Sequence, residues 1–403
     1  MILSKLVMTL AKLLNKKKLN ILGLNSGTSA DSLDIAAVEI KYYRGQQKIR
    51  FLKGFSNKFP KNIKFLIRKI SDSDNQNISE ILLLDNMLGD FFGKCARQAE
   101  TLLLKQKISI DVIASHGQTV RHIPGKLSSG KFKTSASLQL GSLAFISSVS
   151  KKITVGNFRQ ADIARKGEGA PITTLAMKKI FADPEQSRLI VNIGGISNYF
   201  YFPQKSNSTA VLAADCGPGN SLSDILAWDF LKQEFDNLGK TASKGKISTK
   251  LLRMLTKNRF FTEKRKSTGL EDFGRQEASK IKKAAKKMNL SPKDIMATVV
   301  ELTAVSISNS VNKLIKKNNS LSKLYLTGGG RKNIFLVKRI KVHLPDIEVL
   351  NVEELNIDGD FVEAVCFAIL GEAALRSKSL NFQSGIQSNG RVILGEIAQP
   401  DSN

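Results

Sequence analysis

The stretch ILGLNSGTSADSLDIAAVEI (residues 21–40) constrains the fold most, because it encodes two strands and a tight turn between them. It starts with an apolar run and ends with alternating apolar and polar residues, which are typical of strands. In the turn, Gly27 lets the backbone approach a ligand, and the neighbouring N–H and O–H groups suit phosphate oxygens. A plain hairpin is the alternative interpretation. No Gly-Lys-Ser/Thr follows and no helix starts after the turn, so a Walker loop is excluded.

The second half of the chain repeats this arrangement. Residues 189–202, LIVNIGGISNYFYF, again predict a strand, a glycine-containing turn and a strand. A further strand over 211–215 leads into the turn CGPGN (216–220) and a helix over 221–230. The glycines of this turn permit close backbone approach, the helix N-terminus favours anions, and Asp215 suits a hydrated Mg²⁺ ion.

A triple glycine completes the series of glycine turns. A strand predicted over 324–327 enters Gly328, Gly329 and Gly330, and a helix over 333–342 follows. Three successive glycines leave room for a flat group, such as a nucleobase or ribose, against the backbone. Together with the two earlier turns, they predict a nucleotide site more specifically than any single turn does.

The region between the two halves contains helices, a strand and a loop. Helices are predicted over 65–70 and 78–105, and residues 126–134 are predicted to form a Gly/Ser/Lys loop. A buried strand over 110–115 is expected to end at His116. A polar cluster at the carboxyl end of such a strand suits ligand binding. The alternative is that these residues only cap the strand and that the histidine makes its hydrogen bonds within the fold.

The segment VGNFRQADIARKGEGAPI (155–172) is rich in charge yet carries three glycines and a proline. Polar loops of this length are uncommon in compact domains unless they have a task, so we predict an irregular functional loop rather than a helix. Arg159 and Asp162 are its natural chemical members. A solvated surface loop is the alternative.

Size and composition limit the class of protein. The 403 residues suffice for two domains. The sequence contains no run of eighteen apolar residues, so we predict no membrane span. The formal charge of +27 comes from scattered lysines without the concentrated basic element and stacking aromatics of a nucleic-acid-binding protein, so we expect no nucleic-acid partner. Cys95, Cys216 and Cys366 are too far apart for a disulfide framework or a zinc site, and a reducing cytoplasm is expected.

Nine stretches in collinear order resemble the anhydro-N-acetylmuramic acid kinases, members of the actin, hexokinase and Hsp70-like ATPase superfamily. The stretches are GLNSGTSADSLD (23–34), ASHGQTVRHIP (114–124), QLG (139–141), NFRQADIARKGEGAPI (157–172), NIGGISN (192–198), DCGPGNSLSD (215–224), KSTG (266–269), LTGGGRKN (326–333) and EAVCFAIL (363–370). They extend over about residues 20–375, which makes chance a poor explanation.

The resemblance implies an α/β fold of two RNase H-like domains that close over ATP and sugar in an interdomain cleft, and a cytoplasmic homodimer. We predict an N-terminal extension over 1–19, one domain over 20–145 with 361–403, and the other over 146–360. Because apolar residues of the extension share one helical face, contact with a membrane surface is its alternative role. The implied reaction converts 1,6-anhydro-N-acetylmuramic acid, ATP and water to N-acetylmuramic acid 6-phosphate and ADP, a step of murein recycling.

The resemblance also implies roles for individual residues. Asp162 is expected to be the general base that takes a proton from the attacking water, and Asp215 to hold Mg²⁺ through water. The expected ATP-binding residues are Gly27, Thr28, Ser29, Ala30, Asp31, Ser32, Leu33 and Asp34, then Gly217, Gly219 and Asn220, then Gly328, Gly329 and Gly330. The expected sugar-binding or positioning residues are Ser115, His116, Gln118, Arg159 and Glu363. Arg159 also suits the lactyl carboxylate of a muramic sugar.

The chain departs from the family pattern at five positions. Ser32 replaces the glycine of GTSxDGxD, and Asn157 replaces the aspartate of DFR. Lys166 and Glu168 stand in the GGQGAPL segment, and Asn25 replaces a methionine. We expect an active enzyme whose sugar preference the departures leave open. A serine at position 32 predicts either a different turn or a positive φ at a cost.

Two other functional classes remain as alternatives. One is a kinase of the same superfamily that phosphorylates an existing hydroxyl of another sugar and does not need Asp162 to act on water. The other is a non-catalytic nucleotide- or sugar-binding homologue. The presence of both Asp162 and Asp215 counts against the latter.

Overall fold

The structure is a computed structural model that describes residues 10–27, 30–43, 46–71, 75–204, 211–263, 268–316, 321–381 and 391–400. Thr28 and Ser29 of the first glycine turn lie outside the described residues. So do residues 1–9 of the predicted extension and 266–267 of the KSTG stretch.

Strands and helices alternate along the chain. The strands are β1 (Lys18–Ser26), β2 (Ser32–Tyr43), β3 (Gln46–Lys58), β4 (Val112–Ser129), β5 (Phe132–Leu140), β6 (Ile153–Gly156), β7 (Arg188–Ile193), β8 (Ile196–Phe202), β9 (Leu212–Pro218), β10 (Lys323–Thr327), β11 (Glu348–Asn351), β12 (Leu380–Asn381), β13 (Arg391–Val392) and β14 (Glu396–Ala398). The helices are α1 (Lys61–Ser71), α2 (Ile78–Leu104), α3 (Leu143–Ser150), α4 (Gln160–Ala164), α5 (Thr174–Phe181), α6 (Ser221–Leu231), α7 (Thr249–Leu255), α8 (Arg259–Thr262), α9 (Leu270–Phe273), α10 (Arg275–Lys287), α11 (Pro292–Ile315), α12 (Ile334–His343) and α13 (Val362–Leu375). Short 3₁₀ helices span Asn237–Gly239, Ala242–Lys244, Gly329–Lys332 and Val352–Leu355.

The chain forms two compact units, each containing one of the two larger sheets. The first unit comprises Met1–Ile180 and Asn356–Asn403, and the second comprises Phe181–Leu355. The predicted domains divided the chain at 145/146 and 360/361 instead. Residues 153–156 join the first unit because β6 pairs in parallel with β4.

The sheet of the first unit has the strand order β14-β6-β4-β1-β2-β3, with β5 paired to β4. β1, β2 and β3 are successively antiparallel, whereas β4 is parallel to both β1 and β6. Helix α13 is apolar on nearly all sides and packs on β1. The approach is so close that a Cβ atom at Gly23 would lie 1.9 Å from the carbonyl oxygen of Ala364. A glycine at this position therefore sets the depth at which α13 packs on the sheet.

The sheet of the second unit has the order β11-β10-β7-β8-β9. Its first three strands in sequence are successively antiparallel, and β10 is parallel to both β7 and β11. Helix α11 lies in the core and begins with a capping box between Ser291 and Asp294, with Pro292 in its first turn.

The two sheets share one topology. When β5 and β14 are left out and the remaining strands of each of these two sheets are numbered in sequence, β6 is the fifth strand of the first sheet. Both sheets then have the order 3-2-1-4-5 of an RNase H-like sheet. The predicted mixed α/β fold class is therefore confirmed, as is the internal repeat of strand, glycine turn and strand. The carboxyl ends of the first and fourth strands meet at one edge of each sheet, which is where open α/β sheets bind ligands.

Three local predictions were wrong. The strand that contains 112–115 does not end at His116 but continues to Ser129, and residues 126–134 are largely the end of β4 and the start of β5 rather than a loop. Exposed lysines and serines near this hairpin tip have loop-like composition, and only cross-strand pairing makes them strands. The 155–172 segment contains the short helix α4, because Gln160–Ala164 lacks glycine and proline.

Candidate active site

The first glycine turn is tied to the neighbouring strand β4. The Ser26 hydroxyl donates to Oε1 of Gln118, and Nε2 of Gln118 donates to the Gly27 carbonyl oxygen at 3.3 Å. No described heavy atom lies within 4 Å of the position where a Cβ of Gly27 would stand. The turn therefore has a braced backbone with open space beside its glycine.

The acidic residues after this turn have cationic or hydroxyl partners. Nζ of Lys64 lies 2.5 Å from Oδ1 of Asp31, whose side chain is half exposed. Oδ1 of Asp34 accepts hydrogen bonds from the hydroxyls of Ser56 at 2.7 Å and Ser32 at 3.3 Å. Ala30, and not Ser32, has a positive φ, of 52°. The serine at the departure position thus begins β2 without strain and contacts a neighbouring carboxylate.

Arg159, at the start of α4, is anchored to β4 through His116. Its Nε and Nη2 lie 3.1 and 3.0 Å from Nε2 of His116, and its Nη1 donates to the Gly169 carbonyl oxygen at 3.0 Å. The imidazole stacks on Phe367 of α13 with ring centroids 4.4 Å apart. These contacts hold the guanidinium in one orientation.

His116 is neutral in this arrangement. Burial lowers its pKa well below 6.5, and the positive charge of Arg159 lowers it further. Because Nε2 accepts from Arg159, the proton of the neutral ring resides on Nδ1. Nδ1 has no hydrogen-bond partner within the described part of the chain.

The lowered pKa of His116 predicts a pH dependence of stability. Below pH 6.5 the unfolded chain binds a proton on this residue while the folded chain does not, so the free energy of unfolding falls as the pH drops towards the folded-state pKa. The expected contribution is at most about 1.4 kcal/mol per pH unit. Denaturant unfolding at pH 5 to 7 should show a shallower pH slope for His116→Gln than for wild type. Equal slopes would contradict the assignment.

Asp162 is fully buried on α4. Its Oδ2 accepts the Gly169 N–H at 2.8 Å, whereas Oδ1 has no hydrogen-bond partner among the residues that the structure describes. A Cβ at Gly167 would lie only 2.1 Å from Oδ2, so this glycine leaves the space that the carboxylate occupies. Gly169 therefore connects the two key side chains, because its carbonyl binds Arg159 and its N–H binds Asp162.

Glu363 and Ser115 are two further predicted site residues of the first unit. Nδ2 of the buried Asn25 donates to Oε2 of the exposed Glu363 at 2.8 Å, so the departure at position 25 supplies a donor to a carboxylate. The buried Ser115 hydroxyl has no partner in the described ranges. The structure thus brings together His116, Arg159 and Asp162 within the first unit, and Ser115 precedes His116 on β4. It adds Phe367, which sequence reasoning included in a motif without assigning it a role.

In the second unit, the turn before α6 packs against the turn between β7 and β8. The N–H groups of Gly219 and Ser221 donate to the Gly195 carbonyl at 2.9 and 3.1 Å, and that of Asn220 donates to the Gly194 carbonyl at 2.8 Å. These three amides, which the sequence suggested for an anion, are thus bonded within the protein. A Cβ at Gly219 would lie 2.2 Å from the Gly194 oxygen, which explains the glycine there.

The triple glycine has a packing role at two of its three positions. A Cβ at Gly328, where φ is 77°, would lie 2.4 Å from Oδ1 of Asn192. A Cβ at Gly330 would lie 2.2 Å from Cγ2 of Ile193, whereas at Gly329 the nearest atom is 3.8 Å away. Space for a flat ligand is therefore available at Gly329, and its two neighbours are glycines because β7 is close.

Asp215 and Asn198 lie on adjacent strands, and each has a side-chain oxygen of the kind that binds a metal ion. They are directly opposite in the antiparallel pairing of β8 and β9, so their side chains point to the same face. Oδ2 of Asp215 accepts the Thr268 N–H at 2.9 Å, and Oδ1 of Asn198 is buried without a partner among the described residues. Gly217, with φ of 128°, follows on β9. No group of three or more His, Cys, Asp or Glu suited to a metal occurs in the described ranges.

The side-chain oxygens of Asp215 and Asn198 fit a hydrated Mg²⁺ ion. Mg²⁺ in phosphoryl-transfer sites keeps several waters and binds one or two protein oxygens in addition to substrate phosphates. One carboxylate with a neighbouring amide oxygen meets that requirement without a cluster of acids. Asn198 was not singled out in the sequence, because only the strand register places it opposite Asp215.

Comparisons with known proteins agree over nearly the whole chain. The sequence profile of the anhydro-N-acetylmuramic acid kinase family matches residues 19–400. The anhydro-N-acetylmuramic acid kinase of Caldanaerobacter subterraneus subsp. tengcongensis is 32% identical over 397 residues, covering 96% of this chain and 99% of that protein. The kinase of the same name from Coxiella burnetii is 34% identical over 380 residues, covering 93% and 96%.

Among solved structures, component A of the (R)-2-hydroxyglutaryl-CoA dehydratase of Acidaminococcus fermentans is similar at a TM-score of 0.42 and 11% identity, covering 89% of this chain and 99% of that chain. None of the helices in the described part of this chain is long and apolar enough to cross a membrane.

Proposed function

The chain belongs to the anhydro-N-acetylmuramic acid kinase family, and we propose that it converts 1,6-anhydro-N-acetylmuramic acid, ATP and water to N-acetylmuramic acid 6-phosphate and ADP. A water oxygen adds to the anomeric carbon C1 as the bond between C1 and the bridging oxygen O6 breaks. O6 takes the γ-phosphoryl group of ATP, and a base accepts the proton from water. The product is one that murein recycling forms.

Asp162 is the proposed base, and its unpartnered Oδ1 is the observation that carries this role. A buried carboxylate oxygen without a donor is costly unless a bound group supplies one. A water molecule held by Oδ1 meets this need and places a proton acceptor beside the attacking oxygen. Oδ2 cannot turn away to share the task, because it is bonded to the Gly169 amide.

Arg159 is the proposed anchor for the lactyl carboxylate. Three of its five N–H groups are bonded to His116 and Gly169, which leaves two without a partner in the described part of the chain. A planar guanidinium held by its other donors is suited to bind a carboxylate. The neutral imidazole contributes by accepting from Arg159, since a protonated ring would repel it.

Asp215 and Asn198 are the proposed ligands, directly or through water, of Mg²⁺, which when bound supplies charge neutralisation for the phosphates of ATP. The first glycine turn and Gly329 are the proposed contacts for the phosphates and the adenosine, respectively. Open space beside Gly27 and at Gly329 supports this placement. That the two units face a common cleft stays a prediction.

The proposal is tested with the purified chain, Mg·ATP and the anhydro-sugar in ¹⁸O-labelled water. We expect a 6-phosphate product with one ¹⁸O at the anomeric position, detected by mass spectrometry before that oxygen exchanges. A phosphorylated product that retains the anhydro ring and carries no label would indicate the alternative of a kinase without ring opening. Binding of ATP with no turnover of this or related amino sugars would indicate a non-catalytic homologue.

We also propose that the chain works as a homodimer in the cytoplasm, where its ATP is available and where its buried cysteines stay reduced. Sedimentation equilibrium should then give twice the mass of one chain, and cell fractionation should recover the protein with cytoplasmic markers. A monomer mass, or recovery with the membrane fraction, would contradict the corresponding part.

A further inference from the structure

The C-terminal strand β14 lies beside the segment that carries Arg159 and Asp162. It pairs antiparallel with β6, with Glu396 opposite Gly156. Asn157, the next residue after β6, has a left-handed φ of 54° and donates through Nδ2 to Oε1 of Glu396 at 2.7 Å. Asparagine tolerates this backbone conformation better than most residues. This hydrogen bond thus connects β14 to the start of the segment 157–169, which carries Arg159 and Asp162.

The pair explains why an amide stands at position 157. The Glu396 carboxylate can only accept hydrogen bonds when ionised, so its partner must be a donor. Aspartate at 157 would place two carboxylates at hydrogen-bonding distance and replace attraction by repulsion. The departure at Asn157, seen in the sequence as the loss of a charge, therefore has a partner 239 residues away.

A series of ring contacts continues from β14 to the site. A Cβ at Gly395, the residue just before β14, would lie 3.1 Å from Cδ1 of Phe158, so the chain that leads into the strand passes close to this ring. Phe158 stacks on Phe367 with centroids 5.7 Å apart, and Phe367 stacks on His116, which holds Arg159. A displacement of β14 would therefore affect both the backbone before Arg159, through Asn157, and its guanidinium, through the rings that end at His116.

We propose that Asn157 and Glu396 are positioning residues, and that their hydrogen bond fixes the start of the segment so that Arg159 and Asp162 hold their working geometry. The kinetic part of this inference rests on the proposed function. The C-terminal strand then supports the segment from outside the site, without touching substrate.

Three variants and a control test the pair. Asn157→Asp introduces repulsion, Glu396→Gln keeps an acceptor oxygen, and the double variant restores one donor and one acceptor with their sides exchanged. Glu348→Gln, which neutralises an exposed strand acid of the second unit, is the matched control. Two quantities are measured for each: kcat and KM for the anhydro-sugar, and the hydrogen exchange of backbone amides over 158–169.

We expect Asn157→Asp to lower kcat/KM about tenfold and to speed amide exchange over 158–169. Glu396→Gln and the control should stay within about twofold of wild type, and the double variant should recover most of the loss in both measurements. A loss of kcat/KM with an unchanged midpoint of thermal unfolding is not expected of a residue whose only role is general stability.

Either of two results would overturn the inference: full activity and normal exchange in Asn157→Asp, or a loss that Glu396→Gln does not repair. Midpoints of thermal unfolding, measured for all variants, show whether each chain is folded during the assays. If the wild-type chain does not act on the anhydro-sugar, the proposed function fails, and the exchange measurements alone then decide whether the pair positions the segment.

Discussion

Replacing Asp162 by asparagine is expected to lower kcat for the anhydro-sugar about 10³-fold, the middle of the range for loss of a general base. Asparagine has nearly the same shape and retains an oxygen that can accept the Gly169 N–H, so the geometry around Gly167 should survive. What it loses is the basicity of Oδ1. KM for the sugar should therefore change little, and steady-state kinetics with product detection would show a loss confined to kcat.

Asp236→Asn is the matched control for this change. Asp236 is also buried and also accepts backbone N–H groups, from Thr241 at 2.9 Å and Ala242 at 2.8 Å, but it lies in the second unit at a pair of 3₁₀ helices. This control should lose stability and keep kcat. If Asp162→Asn kept more than a tenth of wild-type kcat, or if the control lost as much, Asp162 would not be the base.

Replacing Asp215 by asparagine is expected to lower kcat about 10²-fold and to raise the Mg²⁺ concentration needed for half-maximal rate. The variant keeps an oxygen for the Thr268 N–H but loses the negative charge beside Asn198. Sugar binding should be unaffected, because the proposed sugar contacts are residues of the first unit. A Mg²⁺ titration of the initial rate at saturating ATP and sugar gives the result directly.

The control for Asp215 is Asp229→Asn, which removes an acid of the same unit that pairs with Lys282. It should leave the Mg²⁺ dependence unchanged. An unchanged half-saturating Mg²⁺ concentration in Asp215→Asn would contradict the assignment of the metal to this strand. The two active-site variants also separate the two parts of the reaction, because Asp162→Asn should still bind Mg·ATP and Asp215→Asn should still bind the sugar.

Local patterns predicted the strands that begin each unit. The alternation over 35–40 and the glycine turn before it give β1 and β2, and the same pattern gives β7 and β8. Local patterns failed for the hairpin of β4 and β5, where lysine, serine and glycine resemble a loop. Strand formation there depends on cross-strand partners, which composition does not report.

The glycines illustrate a second limit of local patterns. The run 328–330 predicted open space for a ligand, and the structure shows that two of the three positions are glycines because atoms of Asn192 and Ile193 at the end of β7 are within contact distance. A glycine required by a ligand and a glycine required by a neighbouring strand are identical in a sequence. Only the surrounding atoms distinguish them.

The sequence by itself determined the family, the order of the motifs and the two acids on which the proposed chemistry depends. Only the tertiary structure decided which atoms of those motifs have partners: Oδ1 of Asp162 has none in the described chain, Asn198 stands opposite Asp215, and Asn157 binds Glu396. The physical reason is that residue type sets what a group can donate or accept, whereas its partner is supplied by strand register and helix packing between residues far apart in the chain.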